Sequence, residues 1–303
     1  MPDWKWELIA KHENLTEGPA WDGAGLRYSE IAPSLTWRWD PKTGQNVIWR
    51  RDTNGANGMC FDRLGRLFAC EGGGRRLVRY EKDRPAEVVA DSSEGRQFNE
   101  PNDLAIDSGG RIYFSDPNYG GRPMQMDHES VWRADPITLS QSKGGRPWLV
   151  ARATFDTTRP NGVLLSPEQK TLYVAESPRP PEARRQLRAY PVNPDGPLGD
   201  HRVLHDFGQY RGIDGMCVTS EGNIVTTAGN LKAGPGPMIY VFAPNGRVVS
   251  THRTPPDTDQ PTNCTYGGPA LDELFVTFGT GHVYRVPGTG YRGHLLYPVL
   301  SGA

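Results

Sequence analysis

The stretch Asn57-Gly-Met-Cys-Phe-Asp62, followed by Arg66-Leu-Phe-Ala-Cys-Glu71, is one copy of a pattern that occurs six times in the chain. Each copy opens with an oxygen-bearing residue, continues through an apolar run, and precedes a short segment rich in β-branched and aromatic residues. The opening phrases are Glu17-Gly-Pro-Ala-Trp-Asp22, Asn57-Gly-Met-Cys-Phe-Asp62, Asn102-Asp-Leu-Ala-Ile-Asp107, Asn161-Gly-Val-Leu-Leu-Ser166, Asp214-Gly-Met-Cys-Val-Thr219 and Asn263-Cys-Thr-Tyr-Gly-Gly268. Their first residues are 40 to 59 positions apart, which indicates an array of similar units with insertions in the loops.

The segments after the phrases have the composition of β-strands. Arg111-Ile-Tyr-Phe-Ser-Asp116 is an example, and further strand-like runs such as Arg76-Leu-Val-Arg-Tyr80 follow within each unit. Three or four strands in each of six units, with almost no helical periodicity, predict an all-β fold, a six-bladed β-propeller with a central channel. We expect residues 1–303 to form one domain, because the blades belong to one closed array. The run Trp4-Lys-Trp-Glu-Leu-Ile9 should complete the last blade, since joining the chain ends protects open strand edges.

The first residue of each phrase should occupy the same place in its blade and therefore point toward the channel axis. The predicted ring consists of Glu17, Asn57, Asn102, Asn161, Asp214 and Asn263. Carboxylate and amide oxygens without Cys or His suit a hard divalent cation such as Ca²⁺, Mg²⁺ or Mn²⁺. The alternative is that repeated Asn-Gly and Asp-Gly pairs only mark the turns into inner strands, above all at Asn57 and Asn263.

Motifs in several units also carry a family resemblance. They are Glu17-Gly-Pro19, Pro101-Asn-Asp103 with Tyr113-Phe-Ser-Asp-Pro117, Arg159-Pro-Asn-Gly162 with Lys170-Thr-Leu-Tyr-Val-Ala175, Asp214-Gly-Met216, and Pro261-Thr-Asn-Cys264 with Gly267-Gly-Pro269. In this order, from about residue 15 to 287, they resemble the regucalcin and gluconolactonase family. Its members are six-bladed propellers with a divalent metal, often calcium, at the channel mouth, and many hydrolyse sugar lactones.

The resemblance implies that Glu17, Asn102, Asn161 and Asp214 are the metal ligands. The expected cofactor is one divalent cation, Ca²⁺ first, with Mg²⁺, Mn²⁺ or Zn²⁺ as alternatives. The related diisopropyl fluorophosphatase and paraoxonase share the four-ligand arrangement but act on phosphotriesters and more apolar lactones. The ligand set alone therefore does not select the substrate.

The chain departs from the family pattern at three places. Glu100 stands where regucalcin-like members carry an Arg, so a cationic substrate contact is absent at that position. Gly72-Gly-Gly74 follows Cys70-Glu71, where many gluconolactonases have a His. Cys217 stands where the phosphotriesterase-like members place an Asp for a second, structural calcium, which argues against a second central ion.

The predicted activity is metal-dependent opening of a sugar lactone, with the cation as Lewis acid and Asp214 as the catalytic base or nucleophile. Asn57, Asp116, His128 and Asn263 are the predicted substrate contacts. Asp116 has an equally strong alternative as a structural Asp-Pro turn, and His128 lies in a long loop expected to overhang the site. The alternative functions are a phosphotriesterase or hydrophobic-lactone hydrolase on the same site, and a non-catalytic calcium-binding propeller.

Composition narrows the setting. A net charge of −1 argues against a nucleic-acid partner, so the expected partner is a small-molecule lactone, and the pattern does not determine the oligomeric state. Neither an apolar run of 18 residues nor an export signal occurs, so we expect no membrane association and a cytoplasmic location. HExxH and GxSxG motifs are also absent, which disfavours zinc-peptidase and serine-hydrolase chemistry.

Overall fold

The computed structural model describes residues 4–137, 147–195 and 197–298, and these form six four-stranded antiparallel sheets. No helix occurs in these ranges, and consequently none that could cross a membrane. The blades are β2–β5 (Thr16–Trp21, Leu26–Glu30, Leu35–Trp39, Asn46–Arg50), β6–β9 (Ala56–Phe61, Leu67–Glu71, Arg76–Tyr80, Glu87–Ala90), β12–β15 (Leu104–Ile106, Ile112–Asp116, Ser130–Pro136, Trp148–Arg152), β16–β19 (Pro160–Leu165, Thr171–Glu176, Arg185–Pro191, Arg202–Gly208), β20–β23 (Ile213–Val218, Ile224–Asn230, Ala233–Phe242, Val248–Arg253), and β24–β26 (Pro261–Gly267, Glu273–Phe278, His282–Val286) with β1 (Glu7–Lys11). A small hairpin, β10 (Ser92–Ser93) with β11 (Arg96–Gln97), lies between the second and third blades. The predicted six-bladed β-propeller is confirmed.

The apolar core lies between the blades rather than at the centre of the molecule. Successive residues of a strand face opposite sides of its sheet, so each middle strand contributes to two neighbouring cores. In β7, Phe68 and Cys70 pack toward the third blade, whereas Leu67 and Ala69 pack toward the first. Six such interblade clusters hold the ring together and leave the axis to the innermost strands.

The chain ends close the ring in the sixth blade. Strand β1 pairs antiparallel with β26, with Glu7 opposite Arg285, which confirms the role predicted for the N-terminal run. The Arg285 guanidinium lies 2.8 Å from the Glu7 carboxylate, and Trp6 packs edge-on against Tyr284 at a ring distance of 6.0 Å. This seam joins residues 278 positions apart in the sequence.

The segment after β26, residues 287–298, crosses the end of the channel at which the inner strands finish. The His294 amide donates to the Val218 carbonyl at the end of β20, and the Gly293 amide donates to the Leu271 carbonyl. The Tyr297 ring packs on Phe61, the last residue of β6. The phrase-opening residues lie at the opposite end, where the inner strands begin.

Candidate metal centre

Five of the six phrase-opening residues lie at β-bulges in the inner strands. In five of the six blades the pairing between the inner strand and its neighbour shifts register at the start of the phrase. The shifts fall between Glu17 and Ala20, Ala56 and Met59, Pro160 and Val163, Ile213 and Met216, and Pro261 and Cys264. A bulge interrupts the alternation of side chains and can re-aim one of them, which explains why these polar residues face the axis instead of a blade.

The glycine after the first residue allows neighbouring inner strands to approach closely. A Cβ atom on Gly18 would lie 2.0 Å from the Asn57 carbonyl oxygen, and one on Gly162 would lie 2.3 Å from the Asp214 carbonyl oxygen. Such distances exclude any side chain, so the Gly of the repeated phrase is required by the closeness of the strands. The same closeness brings polar groups of adjacent blades within hydrogen-bond distance.

Three Asn side chains form a chain of hydrogen bonds around the axis. The Asn57 amide nitrogen donates to the Asn102 side-chain oxygen at 2.6 Å, and the Asn102 amide nitrogen donates to the Asn161 side-chain oxygen at 2.7 Å. The Asn161 amide in turn hydrogen-bonds the Asp214 carboxylate. The direction of donation therefore runs from Asn57 to Asn161 and ends at a carboxylate.

Glu17 and Asp214 place two carboxylates in this ring. Glu17 is 5% exposed and accepts the Gly18 amide at 2.7 Å. Burial, followed by the negative charges of Asp214 and Asp103, raises the pKa of Glu17 well above its usual range. Burial also raises the pKa of Asp214, although the Arg211 guanidinium that donates to this carboxylate opposes the shift. Both carboxylates would gain from a nearby positive charge.

The donor set fits a hard divalent cation. Within the described ranges no three His, Cys, Asp or Glu side chains form a cluster that could hold a metal ion, so a centre here must include amide oxygens. Glu17 and Asp214 contribute charge, while Asn102 and Asn161 contribute neutral oxygen atoms from the same ring. A set of oxygen ligands that includes two carboxylates suits calcium or magnesium. Zinc more often binds thiolate and imidazole ligands, which this ring lacks.

Five of the six ring residues form the floor of a cavity of about 900 Å³. Glu17, Asn57, Asn102, Asn161 and Asp214 all line it. The walls also carry residues that the repeated phrases do not contain. They are Tyr119 and Arg122 from the loop after β13, Arg159 and Arg185 of the fourth blade, Arg211 before β20, and Lys232 between β21 and β22.

The profile of the SMP-30/gluconolactonase/LRE-like region matches residues 15–280 of the chain, which includes every ring residue. The chain belongs to the SMP-30/gluconolactonase family.

Relatives of known name agree with this assignment. The gluconolactonase of Zymomonas mobilis is 28% identical, and the match covers 86% of this chain and 75% of that protein. The solved structure of a Xanthomonas campestris gluconolactonase superposes with a TM-score of 0.79 at 27% identity, covering 95% of this chain and 90% of that one. The calcium-binding protein regucalcin from Agrobacterium tumefaciens shares the fold, with a TM-score of 0.76 at 15% identity, covering 97% and 96% of the two chains.

In this member of the SMP-30/gluconolactonase family, Glu100 anchors a loop over the site. Its carboxylate accepts the Tyr119 amide at 3.1 Å and lies 3.5 Å from the Arg122 guanidinium. Arg122 also donates to the carbonyls of Gly72 and Gly73, the glycines that stand where many gluconolactonases have a His. The Tyr119 hydroxyl then donates to the Asn102 side-chain oxygen at 2.9 Å. The acidic residue at this family position thus holds a loop, and the loop contacts a ring residue.

A third carboxylate, the buried Asp103, lies behind the ring. It replaces the glycine of the third phrase, and the absent side chain of Gly58 makes room for it, since a Cβ there would lie 2.4 Å from its Oδ1. Burial raises the pKa of Asp103 to about 7. Asp103 lines a small cavity of about 120 Å³ with Cys217 and Cys264, whose sulfur atoms are 3.4 Å apart.

Of the four residues predicted to contact substrate, the structure brings only Asn57 to the wall of the large cavity. Asn263 lies in the ring but lines the small cavity behind it, and its amide hydrogen-bonds Glu17. Asp116 is fully buried and accepts the Asn99 and Glu100 backbone amides at 2.9 and 2.8 Å, which is the structural alternative considered above.

The side chain of the fourth residue, His128, also lies outside the cavity wall. It is half-buried, and its Nε2 atom has no hydrogen-bond partner among the residues described. The long loop does overhang the site as expected, but Tyr119 and Arg122 are its residues that reach the cavity.

Proposed function

We propose that this protein is a divalent-metal-dependent hydrolase that opens a sugar lactone. The observation that carries the proposal is the convergence of Glu17, Asp214, Asn102 and Asn161 at the floor of the large cavity. The family and the gluconolactonase relatives support lactone hydrolysis. The calcium-binding description of the regucalcin neighbour supports a cation at the ring.

The proposed roles follow from the contacts of each residue. Glu17 and Asp214, with Asn102 and Asn161, would hold the cation, which would supply Lewis-acid polarisation of the lactone carbonyl. Asp214 is also the proposed general base, because it lines the cavity and its carboxylate would lie at the proposed cation. As water attacks that carbon, Asp214 would take the water proton. The bond between the carbonyl carbon and the ring oxygen would then break, and Asp214 would return the proton to the ring oxygen.

Arg211 positions the proposed base. Its guanidinium donates to the Asp214 carboxylate and to the Gly229 and Pro261 carbonyls at 2.8 and 3.2 Å, so one side chain ties Asp214 to the second strand of its own blade and to the inner strand of the sixth blade. The Asn161 amide holds the carboxylate from the other side. With both contacts in place, the Asp214 carboxylate has little rotational freedom, which favours proton transfer in a fixed direction.

A lactonase screen of the metal-stripped protein, with Ca²⁺, Mg²⁺, Mn²⁺ and Zn²⁺ restored one at a time, tests the proposal. We expect no turnover without metal and recovery with at least one cation on aldonolactones. Turnover confined to phosphotriesters or long-chain lactones would assign the alternative hydrolase activity. Metal binding by calorimetry without turnover of any ester would identify a calcium-binding propeller instead.

A further inference from the structure

The walls of the large cavity carry more positive than negative side chains. Five cationic side chains line it, against the three carboxylates Glu17, Glu100 and Asp214. Two of the cations are already paired, since Arg211 donates to Asp214 and Arg122 lies beside Glu100. A divalent cation at Glu17 and Asp214 would increase the positive excess. The cavity as a whole therefore favours an anionic occupant.

Arg159 lies beside the proposed metal centre, where its charge opposes the rise in the pKa of Asp214, but it forms no close ion pair or side-chain hydrogen bond with a carboxylate among the described residues. Its guanidinium carbon lies 4.9 Å from the centre of the Tyr119 ring, and the Tyr119 hydroxyl donates to Asn102. The Nε atom of Arg159 is buried without a hydrogen-bond acceptor in the described part of the chain. Arg159 therefore lines the cavity with a guanidinium whose hydrogen-bonding capacity is unused by the described protein groups.

Two further cations lie on the same side of the cavity. Arg185 belongs to the blade of Arg159 and donates only to the Pro181 and Ala183 carbonyls, while Lys232 lies at the tip between β21 and β22. No carboxylate pairs with either side chain among the residues that the structure describes. The three unpaired cations therefore occupy the sector of the fourth and fifth blades, whereas Glu100 lies in the third blade.

Within the proposed lactonase activity, on which this step rests, we propose that the substrate is a sugar lactone bearing a separate anionic group. The group is a carboxylate or a phosphate at the end of the sugar remote from the lactone carbonyl. Arg159 would bind it, and Arg185 and Lys232 would add charge around it. A guanidinium can bind two oxygen atoms of either anion at once, which a neutral hydroxyl does not offer.

Arg159→Gln tests the assignment on matched substrate pairs. One pair is glucono-1,5-lactone with 6-phosphoglucono-1,5-lactone, and the other is glucono-1,4-lactone with glucaro-1,4-lactone. Loss of a charge-assisted contact should lower kcat/KM for the anionic member by about 10- to 100-fold. The neutral member should lose much less than the anionic one, because it loses only the effect of the Arg159 charge on Asp214 and no direct contact. The two pairs also distinguish phosphate from carboxylate as the preferred group.

Arg184→Gln is the matched control, since it removes one positive charge from an exposed guanidinium that pairs with Asp206 outside the cavity. It should leave both members of each pair unchanged. Calorimetry adds a readout that does not depend on turnover, because the open-chain dianion glucarate should bind the metal-loaded wild type more tightly than gluconate does. Arg159→Gln should remove this difference.

Equal losses on the neutral and anionic members would overturn the proposal, since Arg159 would then act on the lactone group common to both. A preference of the wild type for the neutral members, with no effect of Arg159→Gln, would also overturn it. If no lactone were hydrolysed, the proposed function would fail. A glucarate preference lost in Arg159→Gln would, even in that case, support the anion site.

Discussion

Asp214→Asn separates the two roles proposed for this residue. One carboxylate oxygen accepts the Arg211 guanidinium, and the carboxylate also receives the Asn161 amide. The side-chain amide of the variant keeps one oxygen, which can contact a cation or accept from either Arg211 or Asn161. Its NH₂ group would face the other of these two donors. The variant therefore retains part of the coordinating geometry while losing the base, the nucleophile and one acceptor.

The magnitudes follow from these losses. Removal of a general base should lower kcat by about 10²- to 10⁴-fold at saturating metal, which is about 3 to 5 kcal/mol of transition-state stabilisation. One unsatisfied donor to a charged partner should cost about 1 to 3 kcal/mol of folding stability. Relief of the repulsion with Glu17 offsets part of that cost. We therefore expect a folded protein with little activity.

The assay is hydrolysis of an aldonolactone followed by proton release, with cation occupancy measured by calorimetry in the same buffer. Asp206→Asn is the control, because it makes the same change in a carboxylate that pairs with Arg184 outside the cavity. It should behave as the wild type. Near wild-type kcat for Asp214→Asn with metal bound would refute the catalytic role of Asp214.

Three further predictions concern metal affinity, packing and pH. Asn102→Ala should weaken cation binding, measured by calorimetry, by at least the roughly 10- to 100-fold that is typical of losing a residue that only supports a metal ligand. Unchanged affinity would contradict the assignment of Asn102 as a ligand. Gly162→Ala should lower the free energy of unfolding in urea by about 1 to 3 kcal/mol, because its Cβ would overlap a carbonyl oxygen, whereas Gly121→Ala, with open space around it, should be nearly neutral. Burial lowers the pKa of His294, so the unfolded chain binds more protons below about pH 6.5 and stability should fall as the pH drops through that value. His294→Asn should show a smaller loss between pH 7 and pH 5, and an equal loss would assign the pH dependence to other groups.

The ring residues could be predicted from the sequence because the repeat places them at equivalent positions. Six copies of one phrase must put Glu17 and Asp214 at the same level of the channel once the blades close, whatever the loops do. The bulges beneath them were not predicted, although the Gly after the first residue is a signal for one. The fold and the ring therefore depend on local pattern and symmetry.

The cavity walls could not be predicted in this way. Tyr119 reaches Asn102 through a loop whose path depends on Glu100, and nothing in the repeat encodes that path. For the same reason Asp116 and His128 suggested substrate contacts by sequence position, while packing directs them elsewhere. Arg159 did have a detectable signal, since it precedes Asn161 by the spacing at which Glu100 precedes Asn102.

With the proposed cation at the ring, the seam between β1 and β26 would couple metal binding to completion of the ring. Glu17 follows β1 directly in the chain, whereas Asn263 and Asp214 belong to the last two blades, so their approach requires the ends to be joined. A cation that needs groups from both sides binds the closed ring and not an opened one. Mass action then adds its binding free energy to closure, so opening of the seam should become rarer as the free ion concentration rises. The ion would thus stabilise the closed ring reversibly, to an extent that depends on the concentration of free ion in solution.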